Sequence, residues 1–314
     1  MAHLEFEKPL VELEDRIREL KVYGVRDTGF EGELRRLEER VEHLQREIYG
    51  QLTVWQKVQL SRHPDRPYFL DYVERIFDDV LELHGDRAFA DDPAVVAGFA
   101  RLGGRTVAII GHQKGRTTKE KVRRNFGMAH PEGYRKAMRI MELANRFRRP
   151  VLTFIDTPGA YPGIGAEERG QAEAIARSTD CCLSLTVPMI AVIIGEGGSG
   201  GAVAIAAANK VLMLEHSIYS VISPEGAASI LWRDSTKAKD AAASMKITAQ
   251  DLLQLGVIDG IIPEPVGGAH RDRAMAIRRV GEALELALAD FDGVTGDEIR
   301  GLRQQKFLAI GQAL

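Results

Sequence analysis

The sequence has very little cysteine. Its 314 residues include two, Cys181 and Cys182, and these are adjacent. Two neighbouring cysteines cannot form a zinc site alone, and their usual role is to pack as small apolar side chains. We therefore expect this chain to hold no metal ion.

Long apolar runs and a strong excess of one charge are also missing. No uninterrupted apolar segment approaches the roughly 20 residues of a membrane-spanning helix, and the N-terminal MAHLEFEK lacks the regions of a signal peptide. The formal net charge of −3 gives no overall attraction to nucleic acid. With 45% hydrophobic residues, the composition predicts a soluble, globular, cytoplasmic protein with no membrane or nucleic-acid partner.

The N-terminal region carries a helical pattern. Apolar residues recur at alternating steps of three and four over residues 10–20 and 34–48, which predicts two amphipathic helices. The segment 24–32 separates them, so we expect a helical hairpin within an arm of residues 1–62. Each helix is too short to be stable alone. The hairpin therefore either packs on its own domain or reaches toward a dimer or another partner.

Short apolar segments alternate with helical patterns over residues 63–293, the predicted main domain. The dipeptide Gly103-Gly104 between two apolar segments is a strong signal for a β-hairpin. The predicted elements are hairpin strands 95–102 and 105–110, helix 131–147, strand 151–155, strand-to-helix units 189–209 and 211–232, and helices 269–291 and 297–313. The repeated order of strand, strand and helix fits a spiral of β-β-α turns at least as well as a plain doubly wound sheet, which would lack the hairpins. Residues 294–314 are predicted to form a C-terminal helical tail.

The most informative segment is IGEGGSGGA at residues 194–202, where five of nine residues are glycine. It lies between segment 187–194, typical of a buried strand, and the alanine-rich segment 202–208, typical of a packed helix. Glycines there allow positive φ angles and the close approach of another molecule. Since the first N–H groups of a helix have no intrahelical acceptor, such a turn can hold negative charge.

One chemistry that fits this turn is dinucleotide binding. Gly195, Gly197 and Gly200 match the fingerprint G-x-G-x-x-G. Glu215 or Glu225 lies near the offset at which a ribose-binding acid is expected.

Two further chemistries fit the same turn. Ser199 lies in the nucleophile-elbow pattern G-x-S-x-G and is followed in chain order by Asp259 and His270. Alternatively, the N–H groups of Gly200 and Gly201 form an oxyanion hole that stabilises a developing enolate, and no side chain reacts. The pattern of residues alone does not separate these three possibilities.

A second rigid loop, DTPGAYPG at residues 156–163, also follows a buried strand. Its two prolines and two glycines fix an irregular conformation at the strand's carboxyl end, where open α/β sheets place ligands. Because both loops leave carboxyl ends of strands, they could face each other across one pocket.

A basic segment spans residues 111–128. Its cationic residues are Lys114, Arg116, Lys119, Lys121, Arg123 and Arg124. Such a run is usually a solvated face, but the glycines near both ends indicate a shaped loop that could bind phosphate or carboxylate groups.

Many motifs along the chain together carry a family resemblance. They are LEFEKPL, GHQKGRTTKE, RRNFGM, PEGYRKA, TFIDTPGAYPG, AEERGQ, IGEGGSGGA, YSVISPEG and EPVGGAHRD. In this order they resemble the carboxyltransferase alpha subunits of bacterial multi-subunit acetyl-coenzyme A carboxylase. The sequence departs from the family pattern at Ala227 and over residues 178–182, outside the glycine turns.

The resemblance implies an α/β, crotonase-like (ClpP/crotonase) β-β-α spiral with an N-terminal helical hairpin and C-terminal helices. It implies an α2β2 heterotetramer with a beta subunit that carries a zinc ribbon, within an ATP-dependent complex that also contains biotin carboxylase. The implied reaction transfers a carboxyl group from biotin to acetyl-CoA, giving malonyl-CoA for fatty acid biosynthesis. Biotin is then tethered to the biotin carboxyl carrier protein, and this chain binds no cofactor covalently.

The resemblance also implies roles for individual residues. Gly200 and Gly201 would donate N–H groups to the ureido oxygen of biotin. Apart from this resemblance, we expect substrate to be bound by Gly159, Ala160, Tyr161, Gly197 and Gly198 of the two loops and by Lys114, Arg116, Arg123 and Arg124 of the basic segment. The resemblance favours the oxyanion hole, since no cluster of acid and base residues lies near the glycine turn in the sequence.

Overall fold

The strands form one mostly parallel sheet in a computed structural model that describes residues 3–23 and 30–312. They are β1 (Asp78–Glu82), β2 (Val95–Leu102), β3 (Arg105–His112), β4 (Val151–Thr157), β5 (Met189–Gly198), β6 (Lys210–Leu214), β7 (Ile218–Ser220) and β8 (Gly260–Ile262). Their spatial order is β1-β2-β3-β4-β5-β6-β8, and β7 pairs with the end of β5.

Helices connect and cover these strands. They are α1 (Lys8–Tyr23), α2 (Phe30–Gly50), α3 (Val54–Ser61), α4 (Phe69–Ile76), α5 (Thr118–Arg123), α6 (Pro131–Arg146), α7 (Ile164–Glu168), α8 (Gln171–Ser184), α9 (Ser199–Val203), α10 (Pro224–Trp232), α11 (Ala238–Ser244), α12 (Ala249–Gln254), α13 (Arg273–Ala289) and α14 (Gly296–Ala309). In the ranges described above, no helix is both long and apolar enough to cross a membrane.

The topology agrees with the predicted spiral. Strands β1, β2 and β3 are antiparallel neighbours, and Gly103 and Gly104 turn the β2–β3 hairpin with φ angles of 54° and 79°. From β3 onward the strands are parallel and follow chain order across the sheet. A doubly wound sheet would instead reverse its strand order at a switch point.

The core lies on both faces of this sheet. Because alternate side chains of a strand point to opposite faces, Ala108 and Ile110 pack with helices α6 and α8, whereas Val107 and Ile109 pack with helices α4 and α13. Both faces of the central parallel strands are thus covered, and only their ends are left for ligands.

The predicted helical hairpin is present as α1 and α2. The pair Lys21–Glu38 joins the two helices, with Nζ and Oε1 at 2.8 Å. At the base of the hairpin, Leu10 is fully buried in a cluster with Tyr49 and Leu60, so this end packs on the rest of the chain. Residues 24–29 of the predicted break lie outside the described residues.

Two element predictions around the glycine segment were wrong in extent. The strand predicted over 187–194 continues to Gly198, because β7 pairs with its last three residues. The helix predicted over 202–208 is instead the five-residue α9, followed by a turn over 204–206. Farther along, the helix predicted from 269 begins at Arg273, where the Asp272 carboxylate caps the N–H of Met275 at 2.9 Å.

Candidate functional site

The glycine turn connects β5 directly to α9. Gly198 lies so close to the other loop that a Cβ atom there would be 2.1 Å from the carbonyl oxygen of Pro158. At Gly201, a Cβ atom would be 2.6 Å from the carbonyl carbon of Gly159. Glycine is required at both positions by the close approach of two backbones.

Ser199 begins α9 in a left-handed conformation, with φ of 53°. This sharp change of direction brings the first residues of α9 away from the strand. The N–H groups of Ser199, Gly200 and Gly201 fall in the first turn, where a helix supplies no acceptor. Ser199 is exposed and Gly200 is half-buried, so donors at this turn are open to a ligand.

Hydrogen bonds hold the facing loop, residues 157–163, in one conformation. The hydroxyl of Thr157 accepts from the Gly159 N–H at 3.1 Å and donates to the Gly159 carbonyl at 2.7 Å. The side chain of Gln171 donates to the carbonyls of Ala129 and Tyr161, both at 2.9 Å. This loop is therefore a rigid wall opposite the turn.

The two loops enclose a cavity of about 400 Å³. Of the residues predicted to form the site, Gly159, Ala160, Tyr161 and Gly200 line it. Its other walls are formed by Pro158, Pro162, Glu167, Gln171, Ala172, Ile175, Ser199, Val221, Ile222 and Ser223. Gly197, Gly198 and Gly201 are buried behind this surface.

A second, more apolar cavity of about 550 Å³ also borders the turn and shares Ser199, Gly200, Val221 and Ile222 with the first. Its remaining lining residues include Val203, Tyr219, Met245, Ile247, Leu252, Leu255 and Val257. The exposed end of the glycine turn therefore borders both cavities.

In the structure, the other two residues of the nucleophile-elbow hypothesis bind groups other than Ser199. His270 is buried, with Nε2 at 3.1 Å from the Glu7 carboxylate. Asp259 accepts the Val211 N–H at 2.7 Å and pairs with Lys306. In the part of the chain that the structure describes, the Ser199 hydroxyl has no hydrogen-bond partner, so nothing activates it.

The dinucleotide hypothesis meets a similar difficulty. Gly195 and Gly197 lie inside strand β5 rather than in the turn after it. Glu215 accepts the Glu264 N–H at 3.0 Å, and Glu225 pairs with Arg62 at 2.7 Å. Both candidate ribose-binding acids are thus engaged within the protein.

The basic segment divides into two groups. Lys114 pairs with Asp156 at 2.6 Å, Arg116 pairs with Asp71 and donates to the Pro64 carbonyl at 2.6 Å, and Arg124 donates to the Pro93 carbonyl. Burial lowers the pKa of Lys114, but the nearby carboxylate charges outweigh it and raise the pKa above its ordinary value. These three cations are held by the fold.

The other cations of this segment, Lys119, Lys121 and Arg123, belong to α5. Within residues 3–23 and 30–312, their side chains form no ion pair or hydrogen bond. The segment predicted as a loop is helical here because Thr117 and Glu120 cap its first turn. Free positive charge is therefore concentrated on one short, exposed helix.

Sequence reasoning missed a charged network behind the turn. The guanidinium of Arg62 contacts the carboxylates of Glu196 at 2.6 Å and Glu225 at 2.7 Å. The N–H of Glu196 donates to Asp156 at 3.0 Å. The sequence hinted at this network only by placing Asp156 and Glu196 inside the two glycine-rich motifs. Their partners lie far away in the sequence, so the contacts could not be predicted.

Only one group of potential metal ligands is found among the described residues. Glu7, His63 and His270 are buried and offer ligand atoms within 4.8 Å of one another. Oε1 of Glu7, however, accepts a hydrogen bond from the Tyr49 hydroxyl at 2.6 Å and lies 3.3 Å from Nε of Arg271. Because the Arg271 guanidinium already pairs with this carboxylate, we interpret the group as an ion-pair cluster rather than a metal site.

Comparisons of the sequence point to one family. The profile of the family described as "Acetyl co-enzyme A carboxylase carboxyltransferase-like" matches residues 3–311. The chain is 59% identical over 315 residues to acetyl-coenzyme A carboxylase carboxyl transferase subunit alpha of Methylobacterium nodulans, covering 100% of this chain and 99% of that protein. It is 62% identical over 314 residues to the protein of the same name in Chelativorans, with 99% of each covered.

Solved structures show the same fold. Transcarboxylase 12S, with methylmalonyl-coenzyme A bound, superposes with a TM-score of 0.57 at 23% identity, over 71% of this chain and 42% of that one. A Pseudomonas malonate decarboxylase hetero-tetramer in complex with coenzyme A gives 0.57 at 21% identity, over 68% and 85% of the two chains. The predicted crotonase-like fold is confirmed.

Proposed function

The chain belongs to the family of acetyl-coenzyme A carboxylase carboxyl transferase alpha subunits, and from this premise we propose that it acts through the N–H groups of Gly200 and Gly201. The protein is a carboxyltransferase subunit, as the sequence predicted. Its place as an alpha subunit implies a complex of several subunits.

The observation that carries the proposal is the cavity between the two glycine-rich loops. The backbone of Gly200 lines its edge, Gly201 is buried next to it, and Ile175, Tyr161 and Val221 supply apolar walls. This combination suits a small, uncharged ring with a carbonyl oxygen, which is the chemistry of the biotin ureido group. The donors would stabilise negative charge that develops on that oxygen as the carboxyl group leaves, without any change in a side chain.

The substrates of this proposed step come from partners. Biotin would be presented on the biotin carboxyl carrier protein, charged by biotin carboxylase, and the carboxyl group would pass to acetyl-CoA to give malonyl-CoA. A beta subunit with a zinc ribbon would hold the thioester in an α2β2 assembly.

The two cysteines of this chain are placed for packing rather than for metal binding. Cys181 is half-buried and Cys182 is buried, and burial raises the pKa of the Cys181 thiol to about 12.

Exposed apolar side chains beside the cavity support a partner at this edge. Val221, which lines both cavities, is 83% exposed. On the following helix α10, Ile230 and Leu231 are 73% and 66% exposed. Exposed apolar side chains are common in protein interfaces, so we propose that the beta subunit contacts this part of the surface.

Ser199→Ala is expected to retain most of the transferase activity. The hydroxyl has no partner in the described structure, and alanine keeps the N–H group that the proposed mechanism uses. Both residues carry a Cβ atom, so the left-handed conformation should cost them similar strain. The measurement is malonyl-CoA formation by the variant assembled with a beta subunit and the charged carrier protein.

An inactive variant that assembles normally would contradict this expectation. Covalent labelling of wild-type Ser199 by a serine-directed phosphonate would then identify the residue as a nucleophile. Those two results together would favour the hydrolase hypothesis over the oxyanion hole.

The basic helix α5 is proposed to attract an anionic substrate group, from coenzyme A or from the carrier protein. Lys119→Gln/Arg123→Gln should raise KM for one of the two substrates and flatten its dependence on salt, because exposed charges are screened. Steady-state kinetics at several ionic strengths would measure this, and the substrate affected would identify the anion.

A matched control for this variant is Arg35→Gln/Arg36→Gln. These arginines are exposed on α2 and form no ion pair in the described ranges, so the variant removes the same net charge from the hairpin instead. Equal kinetics for the α5 variant and wild type at low ionic strength would contradict the prediction and show that the basic helix is only a solvated face.

A further inference from the structure

Strands β4 and β5 lose their regular register just before the site. Ile155 stands opposite Ile193, but Thr157 stands opposite Gly197. Between these pairs, the single residue Asp156 of β4 therefore faces the three residues 194–196 of β5. The extra residues of such a bulge have no partner on β4, so N–H groups that face β4 must find other acceptors.

Asp156 supplies the missing acceptor. Its side chain is 4% exposed, and its Oδ1 accepts the N–H of Glu196 at 3.0 Å. A Cβ atom at Gly195 would stand 2.5 Å from the same oxygen, so glycine is what lets the carboxylate enter the bulge. The carboxylate thus replaces a strand neighbour at the point where β5 changes direction.

Lys114 compensates the charge of this carboxylate. Its ammonium group lies 2.6 Å from the same Oδ1, and its side chain is 16% exposed. Lys114 follows β3, Asp156 is the last residue but one of β4 and Glu196 is near the end of β5, so the contact joins three neighbouring strand ends. Removing either charge alone would leave the other buried without a partner.

The bulge lies directly before both loops that line the cavity. Two residues beyond Glu196, Gly198 rests on the Pro158 backbone, which lies two residues beyond Asp156. The Glu196 side chain is separately fixed by Arg62. Asp156 and Arg62 thus hold the main chain and the side chain of Glu196. The direction of the chain after Glu196 determines where the N–H groups of the next residues, up to Gly201, lie.

We propose that Asp156 is a positioning residue for the carboxyl-transfer reaction, acting through the Glu196 N–H to aim the Gly200 and Gly201 donors into the cavity. The inference rests on the proposed function of those donors. The positioning depends on the hydrogen-bond acceptor that Asp156 supplies in the bulge. The negative charge of Asp156 serves to compensate the positive charge of Lys114.

Two charge-neutral double variants separate acceptor from charge. Lys114→Met/Asp156→Asn keeps an oxygen that can accept the Glu196 N–H, and Lys114→Met/Asp156→Leu has the same number of side-chain heavy atoms at position 156 without an acceptor. Both are assembled with the beta subunit. For each we would measure kcat, KM for acetyl-CoA, the melting temperature and the hydrogen-exchange rate of the Glu196 amide.

The Leu variant should have a kcat at least about tenfold below that of the Asn variant, since misplaced donors stabilise the transition state poorly. KM for acetyl-CoA should stay within about twofold in both, because only transition-state contacts are affected. The Glu196 amide should exchange faster in the Leu variant alone. Equal kcat for the two assembled variants would overturn the inference.

Failure of the Leu variant to assemble would call for Lys114→Met/Asp156→Ala, which introduces less volume. If both lose assembly while the Asn variant assembles, the hydrogen bond is structural and the inference is overturned. If the wild-type complex forms no malonyl-CoA, the proposed function fails instead. The exchange rates then still report whether Asp156 holds the Glu196 amide.

Discussion

Gly201→Val is expected to abolish malonyl-CoA formation. A Cβ atom at this position would lie 2.6 Å from the Gly159 carbonyl carbon and 2.7 Å from the Ala160 nitrogen. Both are main-chain atoms of the rigid facing loop, so they cannot move aside as a flexible side chain would. The loop must shift or the turn must open, and either change displaces the donors from the cavity they serve.

The comparison variant for this change is Gly301→Val. Gly301 lies on α14, where a Cβ atom would meet nothing within 4 Å, so this variant introduces the same side chain without a collision. It should assemble and transfer the carboxyl group like wild type. For Gly201→Val, the melting temperature and the assembly with the beta subunit are measured beside the rate, and a folded, fully active variant would refute the role of the turn.

The reason for this expected loss differs from the one the sequence suggests. From the sequence, a side chain at Gly201 would obstruct a substrate approaching the backbone, with positive φ angles nearby. The structure places the obstruction between two loops of the same chain. The left-handed residue of the turn is Ser199, whereas Gly198 and Gly201 are needed because backbones pass so close to them.

Local sequence patterns predicted the elements that depend on turn residues or on a regular apolar period. The dipeptide Gly103-Gly104 and the apolar segments beside it fixed the β2–β3 hairpin. The apolar period predicted α1, α2 and α6, and the order of strands and helices was compatible with the spiral that the family resemblance implied. In each case the information lies in adjacent residues, because turn chemistry and side-chain period act over a few positions.

What could not be predicted depends on distant partners. β5 runs past residue 194 because β7 pairs with it and Asp156 fills its bulge. The cations of the basic segment look alike in the sequence, yet Lys114 is neutralised by a carboxylate 42 residues away, and Arg116 by one 45 residues away. A contiguous charge pattern does not reveal which of its members are free.

The C-terminal helix contains another residue whose role is invisible in the sequence. Arg303 of α14 is fully buried. Its guanidinium donates to the carbonyls of Cys182 at 2.8 Å and of Leu185 and Val187, both at 2.7 Å. These carbonyls lie at the end of α8 and just after it, where a helix leaves acceptors unsatisfied. Burial lowers the pKa of Arg303 to about 10, so the side chain is still charged at neutral pH.

Arg303→Met is expected to lower the free energy of unfolding by at least about 3 kcal/mol, because each buried carbonyl left without a donor costs roughly 1–3 kcal/mol. That is a large part of the roughly 5–15 kcal/mol that stabilises a typical protein. The urea midpoint of the isolated chain would measure it. Arg300→Met on the same helix is the control, since its partly exposed pair with Asp297 contributes no more than about 1 kcal/mol. Equal midpoints for the two variants would show that Arg303 does not anchor α14 to the end of α8.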